Sequence, residues 1–95
     1  MDLKQRKFVR GEREQLVTLV NGWDPAGLIA AGAPRNEYDS VVDELLEVLS
    51  THGTADEVTH FLENEISRRF GVAPPDIAQF AKKAVNWFRM ASVDQ

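Results

Sequence analysis

Thr54-Ala55-Asp56-Glu57-Val58-Thr59-His60-Phe61-Leu62-Glu63-Asn64-Glu65-Ile66-Ser67-Arg68-Arg69-Phe70-Gly71 is a helix with both of its ends written into it. Thr54 and Glu57 form the Ser/Thr-x-x-Glu capping box. Its hydroxyl accepts from a free amide at N3, and its glutamate reaches back to the cap amide. Val58, Phe61, Leu62, Ile66 and Phe70 then share one stripe. Gly71 stands where a left-handed residue closes a helix. A stripe of this kind must be buried against other elements, and the flanking segments supply them.

Toward the N-terminus, Glu37 to Ser50 sets Tyr38, Val41, Val42, Leu45, Leu46 and Leu49 on the i, i+3, i+4, i+7 pattern. Asn36 can cap this helix, with Asp39 completing a variant capping box. A further helix is expected from about Leu3 to Asn21, with Val9, Leu16, Val17, Leu19 and Val20 as its apolar positions. Gly11 weakens it by ~1 kcal/mol relative to alanine, so residues 1–10 are expected to fray. Toward the C-terminus, Pro74-Pro75 suits a first helical turn. Ile77, Phe80, Ala81, Ala84, Val85, Trp87 and Phe88 then keep a helical period to about Ala91. No segment alternates as a strand does, and no repeat or low-complexity linker interrupts the chain. The predicted fold class is all-α, a compact bundle of four main helices in one domain spanning residues 1–95.

Ninety-five residues can bury one core, but not two cores with a deep cleft between them. Apolar residues at 43% and charged residues at 27% are ordinary for a globular chain and argue against disorder. The absence of cysteine removes disulfides, zinc–thiolate sites and thiol nucleophiles together. No apolar run approaches the roughly 20 residues of a membrane span, and no secretory leader is visible. The expected compartment is the cytoplasm. The net charge of -4 is unevenly spread. Lys4, Arg6, Lys7, Arg10 and Arg13 make the start basic, and Arg68, Arg69, Lys82, Lys83 and Arg89 do the same for the end. Residues 36–65 carry nine carboxylates and neither lysine nor arginine. That acidic middle speaks against a binder of phosphate backbones, which needs a basic face.

Residues 22–35 are the irregular piece. Asp24 reads as an N-cap and Pro25 as N1 of a short extra helical turn running to Ile29 or Ala30. Trp23 and Leu28 have the spacing of a hydrophobic staple, and Gly32-Ala33-Pro34 stops the turn. Trp23, Asp24, Pro25 and Tyr38 are therefore expected to anchor this loop to the core, with a binding role as the alternative for Trp23. The run Asn21-Gly22-Trp23-Asp24-Pro25, then Gly27-Leu28-Ile29, Gly32-Ala33-Pro34 and Glu37-Tyr38-Asp39, resembles a family of small bacterial helical proteins of unassigned function. Similar segments occur in some small bacterial immunity proteins, which bind and neutralise a toxin. The resemblance covers residues 21–49. It implies a helical fold and a bacterial origin, and it transfers no catalytic or binding residue.

Asp39, Asp43 and Glu47 fall at i, i+4 and i+8, with Glu44 on a neighbouring row. Like charges at this spacing cost a few tenths of a kcal/mol each in an isolated helix. Three readings are open: a solvated face or pairing with the basic ends, an acidic patch for a basic protein partner, and a divalent-metal site. The last lacks the Asp-x-Asp-x-Asp-Gly loop spacing of calcium sites. His52, Asp56 and His60 also recur every four residues, but Gly53 and the Thr54 cap interrupt their geometry, and His60 reads as a surface histidine. No serine lies in a Gly-x-Ser-x-Gly turn, and no glycine-rich phosphate loop occurs. No basic stripe carries interleaved aromatics. Trp87 and Phe88 point along adjacent headings, so one faces the core and the other covers a neighbouring helix or offers a self-association or partner anchor.

These readings favour a non-enzymatic protein-interaction module of immunity or inhibitor type, with no cofactor or metal. Asp39, Asp43, Glu44, Glu47 and Trp87 are the candidate partner-binding residues. The expected partner is a basic protein such as a toxin, rather than nucleic acid or a membrane. A homodimeric structural or regulatory subunit, joined through the Trp87-Phe88 side, is the second reading.

Overall fold

The apolar periods become four helices in the computed structural model, which describes residues 10–51 and 53–93. They are α1 (Arg10–Trp23), α2 (Asp39–Thr51), α3 (Ala55–Phe70) and α4 (Ile77–Val93). No strand occurs among the described residues, and the fold is an all-α bundle. Each helix packs on its neighbours in sequence, and α1 and α4 meet to close the ring. The start of the first helix at Leu3, the fraying of residues 1–10, the basic Lys4, Arg6 and Lys7, and His52 all lie outside the described residues or reach into them only at Arg10.

The helical stripes meet in one core. Leu16 and Val20 enter it from α1, and Val41, Val42 and Leu45 from α2. Val58, Leu62 and Ile66 come from α3, and Ala81 and Ala84 from α4, all fully buried. Phe61, Phe70 and Trp87 remain partly exposed and pack around the edge of this core.

The two ends of α3 follow the sequence reading, and those of α2 and α4 depart from it in ways the local chemistry explains. At α3 the Thr54 hydroxyl accepts from the Glu57 amide at 3.2 Å, while the reciprocal bond from Glu57 is not made among the described residues. Gly71 closes α3 at φ 71°, its amide bonded to the Ser67 carbonyl, a conformation that a Cβ would strain. The second helix begins at Asp39, not Glu37, because residues 34–38 turn first: Glu37 N–H donates to Pro34 and Asp39 N–H to Asn36. Tyr38 rather than Asn36 supplies the first helical carbonyl, to Val42. The fourth helix opens at Ile77 because Asp76, at φ 47°, breaks the helical run that Pro74-Pro75 would otherwise start.

The first helix runs two residues past its expected end, to Trp23. Asp24 closes it with φ 51° and an amide bond to Val20 at 2.8 Å. It is therefore a C-terminal closure of α1 and not the N-cap of a new helix. The segment after it is a succession of turns, with Ala31 N–H donating to both Gly27 and Leu28 and Gly32 N–H to Ile29. No described helix is long and apolar enough to cross a membrane.

Leu45 is fully buried at the centre of α2. Leu45→Ala should lower unfolding free energy by about 2–5 kcal/mol, through lost transfer energy and a residual cavity. Urea titration followed by circular dichroism reads this directly.

Candidate functional site

The loop between α1 and α2 is folded around two side chains. The Asp24 carboxylate accepts from Ile29 N–H at 3.0 Å, from Ala30 N–H at 3.0 Å and from the Tyr38 hydroxyl at 2.7 Å. The same hydroxyl accepts from Ala26 N–H at 3.0 Å, and more weakly from Leu28 N–H. Burial works against the Asp24 charge. The bonds from Ile29, Tyr38 and Ala30 outweigh it and hold the carboxyl below the usual carboxylate range. Burial first, and then donation to Asp24, push the Tyr38 phenol above its ordinary value. The tyrosine ring is buried in the core, edge-on to Phe70 with centroids 5.4 Å apart. Pro25 is buried in the first turn of the loop. Asn21, also buried, donates from Nδ2 to the Arg35 carbonyl at 3.0 Å and ties the far end of the loop to α1.

Trp23 is the last residue of α1 and no helix begins at Asp24, so the expected staple with Leu28 has no helix start to fix. The Trp23 indole stacks on Phe80 of α4 at 4.2 Å and 7° between planes, and its Nε1 donates to the Pro75 carbonyl at 2.7 Å. One tryptophan thus fastens the end of α1 to the start of α4.

The acidic helix meets the basic ends of its own chain. Arg13 of α1 donates from Nε to Asp43 at 2.7 Å, with Asp39 3.9 Å from Nη2. Arg69 of α3 reaches Glu44 at 3.3 Å from Nη2 and holds Glu65 through Nε. Arg68 adds two bonds to Glu65 at 2.8 and 2.9 Å. Burial opposes ionisation of Glu65, but the bonds from Arg69 and Arg68 prevail and lower its pKa. Among the described residues Glu47 forms no ion pair and stays exposed. The four acids therefore do not form one set: two belong to Arg13, one to Arg69, and one faces water.

Trp87 is half-buried, its indole N–H donating to Gln15 of α1 at 2.8 Å, with the Phe88 ring tilted against it at 6.1 Å. Met90, 68% exposed, lies three residues further along α4. His60, Asp56 and Glu63 lie on α3, with Glu63 exposed. No group of three or more potential metal ligands converges among the described residues.

An open groove of about 370 Å³, which sequence reasoning missed, lies between the end of α1 and the start of α4. Gly22, Trp23, Asp76, Gln79, Phe80 and Lys83 are among the residues that line it. The available signal was Gly22-Trp23, a glycine beside a tryptophan where the irregular piece begins. No family model, curated protein or solved structure matches the chain.

Tyr38→Phe removes one hydroxyl, which takes the acceptor from the Ala26 and Leu28 amides and leaves Asp24 Oδ1 with Ile29 N–H as its remaining donor. It should cost about 1–3 kcal/mol in urea unfolding, the usual penalty for orphaned partners in a buried network. The lowered pKa values of Asp24 and Glu65 have a definite sign. Each carboxylate adds stability above the unfolded-state value near pH 4, and that stability is lost as pH falls through the folded-state value. Asp24→Asn should therefore lower the melting temperature at pH 7 and flatten its decline between about pH 4 and 2. A series of thermal melts across that range tests it.

Proposed function

We propose that this chain is a small protein-interaction module that binds a basic protein partner through the acidic surface of α2 and the start of α3. The observation that carries the reading is the charge left over after internal pairing. Nine carboxylates stand in residues 36–65, and only Arg13, Arg68 and Arg69 reach them among the described residues. The pairs that hold Asp39, Asp43 and Glu44 are solvent-exposed, the Asp43 and Glu44 side chains keeping 59% and 47% of their accessible surface, whereas Glu65 is buried against Arg68 and Arg69. Exposed pairs of this kind contribute roughly 0–1 kcal/mol each, so they leave the acids available to compete for an outside cation. An excess of one sign raises association rates and selects partners of the opposite sign.

The resemblance of residues 21–49 to segments of small bacterial immunity proteins gives this reading its form, a cytoplasmic bacterial protein that binds and neutralises a toxin. In such an arrangement the Asp24–Tyr38 loop fixes the start of α2 and thereby the direction in which Asp39 and Asp43 are presented. The chain itself then acts by occupying a surface rather than by chemistry. Self-association is the second reading, favoured by the exposed Met90 next to the half-buried Trp87 on α4.

Replacing Asp39 and Asp43 by Asn and Glu47 by Gln should change unfolding free energy by no more than about 1 kcal/mol, because only exposed pairs are lost. A basic protein captured from a bacterial lysate by the wild type should be released as salt rises, since the Debye length falls to ~8–10 Å at ordinary ionic strength. Measured with that purified protein, the triple variant should associate more slowly. Unchanged association together with a lowered melting temperature would mean that the acids serve only the chain's own arginines. Sedimentation velocity of the wild type and of Trp87→Ala reads the second alternative: a dimer lost in the variant would favour it.

A further inference from the structure

Asn21-Gly22 is the one Asn-Gly pair in the chain, since Asn36, Asn64 and Asn86 precede Glu37, Glu65 and Trp87. It lies in the last turn of α1, just before Asp24 closes the helix with its amide on Val20. Neither residue suits that place by propensity, because asparagine is a poor helix former and glycine a worse one. Packing does not ask for glycine either: a Cβ at Gly22 would meet nothing within 4 Å. Asn21 is 5% exposed, and its Oδ1 is buried with no hydrogen-bond partner among the described residues. Its Nδ2 donates to the Arg35 carbonyl at 3.0 Å, across the loop.

The two residues share a reaction. The backbone nitrogen of Gly22 can attack the Asn21 side-chain carbon Cγ and close a succinimide ring, and glycine carries no Cβ to hinder the approach. In the folded chain three things prevent it. The helical ψ of Asn21 turns Cγ away from that nitrogen. The Gly22 N–H is committed to the carbonyl four residues before it, as in any α-helix. The bond to Arg35 holds the side-chain amide toward the loop. Each is lost when the last turn of α1 opens together with the loop that Asp24 and Tyr38 close.

We propose that Asn21-Gly22 is a self-modification site gated by the Asp24–Tyr38 loop, which turns a transient opening of that loop into a permanent one. On opening, the Gly22 nitrogen gives its proton to solvent and bonds to Asn21 Cγ. The Cγ–Nδ2 bond breaks, and the amide group takes a proton from solvent and leaves as ammonia. Water then adds to one of the two imide carbonyls. Breaking the new N–Cγ bond gives aspartate, and breaking the original bond from the residue 21 carbonyl carbon to the Gly22 nitrogen gives isoaspartate. No oxidant or reductant enters. Neither product fits the closed loop. Aspartate sets one carboxylate oxygen against the Arg35 carbonyl, where the amide now donates, and the other where Oδ1 finds no donor. A buried carboxylate so placed is costly. Isoaspartate carries the main chain through the side-chain carbon, which adds a methylene to the last turn of α1 and displaces Trp23 from Phe80 and Asp24 from Tyr38. The acidic face of α2 takes no part in this chemistry.

The test incubates the intact chain at physiological temperature and mildly alkaline pH, in buffer and in unfolding guanidinium chloride. Mass spectrometry of the tryptic peptide 14–35, in which Asn21 is the only asparagine, follows the exchange of amide for acid. Fragment ions assign it to residue 21, and chromatography separates the isoaspartate form. The unfolded chain should react there, and the native chain at least roughly tenfold more slowly. Guanidinium well below the unfolding midpoint should leave the native rate nearly flat, because opening one loop exposes little surface. Tyr38→Phe should raise the native rate several-fold, and Gly22→Ala should slow the reaction of the unfolded chain. Asn21→Asp should lower the melting temperature more than Asn21→Ala, which removes the bond to Arg35 without adding a charge. Equal native and unfolded rates would overturn the gating. So would a native rate that climbs with guanidinium as steeply as global unfolding, or one unchanged in Tyr38→Phe. If Tyr38→Phe does not fold, the guanidinium dependence of the wild type decides. An unfolded chain that does not react, an unfolded Gly22→Ala that reacts as fast as the wild type, or an Asn21→Asp that melts with the wild type would overturn the site itself.

Discussion

A single hydrogen bond of 2.7 Å, from the Tyr38 hydroxyl to the Asp24 carboxylate, ties the end of α1 to the start of α2. Its two partners come from the end of α1 and the start of α2, and the residues between them contain no helix to hold them in place. Tyr38 satisfies both demands at once, with its ring in the core and its hydroxyl at the centre of the loop. Such a network is strong when every member has a partner, because the same low dielectric that strengthens each bond makes an orphan costly. Asp24 closes α1 in a conformation that glycine adopts more easily. The carboxylate explains the choice, since glycine could not receive Ile29, Ala30 and Tyr38.

Once the loop is fixed, the charges take their positions from it. Asp39 and Asp43 stand within reach of Arg13, and Glu44 within reach of Arg69. These contacts orient the helices more than they stabilise them, since exposed pairs contribute little. Glu65 is different. Its side chain is 8% exposed, and it needs Arg68 and Arg69 because a carboxylate out of water without a counter-charge is expensive. The arginines of α3 thus serve first to neutralise a buried acid, and only secondarily to restrain Glu44. Glu47 stays exposed on α2 without an ion pair among the described residues.

The fold was legible where local rules act on consecutive residues. The stripe from Val58 to Phe70, the Thr54 cap and the Gly71 closure fix α3 by backbone geometry and periodicity alone, and the apolar rows of α2 and α4 do the same for their interiors. The sequence also marked Trp23, Asp24, Pro25 and Tyr38 as a group, because a tryptophan, a turn-forming pair and a lone tyrosine stand out in an irregular loop. What it could not supply were partners distant along the chain. Trp23 meets Phe80 and Pro75 more than fifty residues away, and Trp87 meets Gln15 seventy-two residues away. The assignment of each acid to a particular arginine has the same origin, since a helix face fixes where a carboxylate points but not which cation arrives there. The left-handed turn at Asp76 was hidden for another reason: Pro-Pro-Asp is compatible with a helix start, and no glycine stands there to announce the positive φ. Local sequence therefore determined which segments are helical and which faces are apolar. Tertiary packing decided how the loop closes, which charges are neutralised and where a groove is left, because those depend on residues that meet only after the chain has folded.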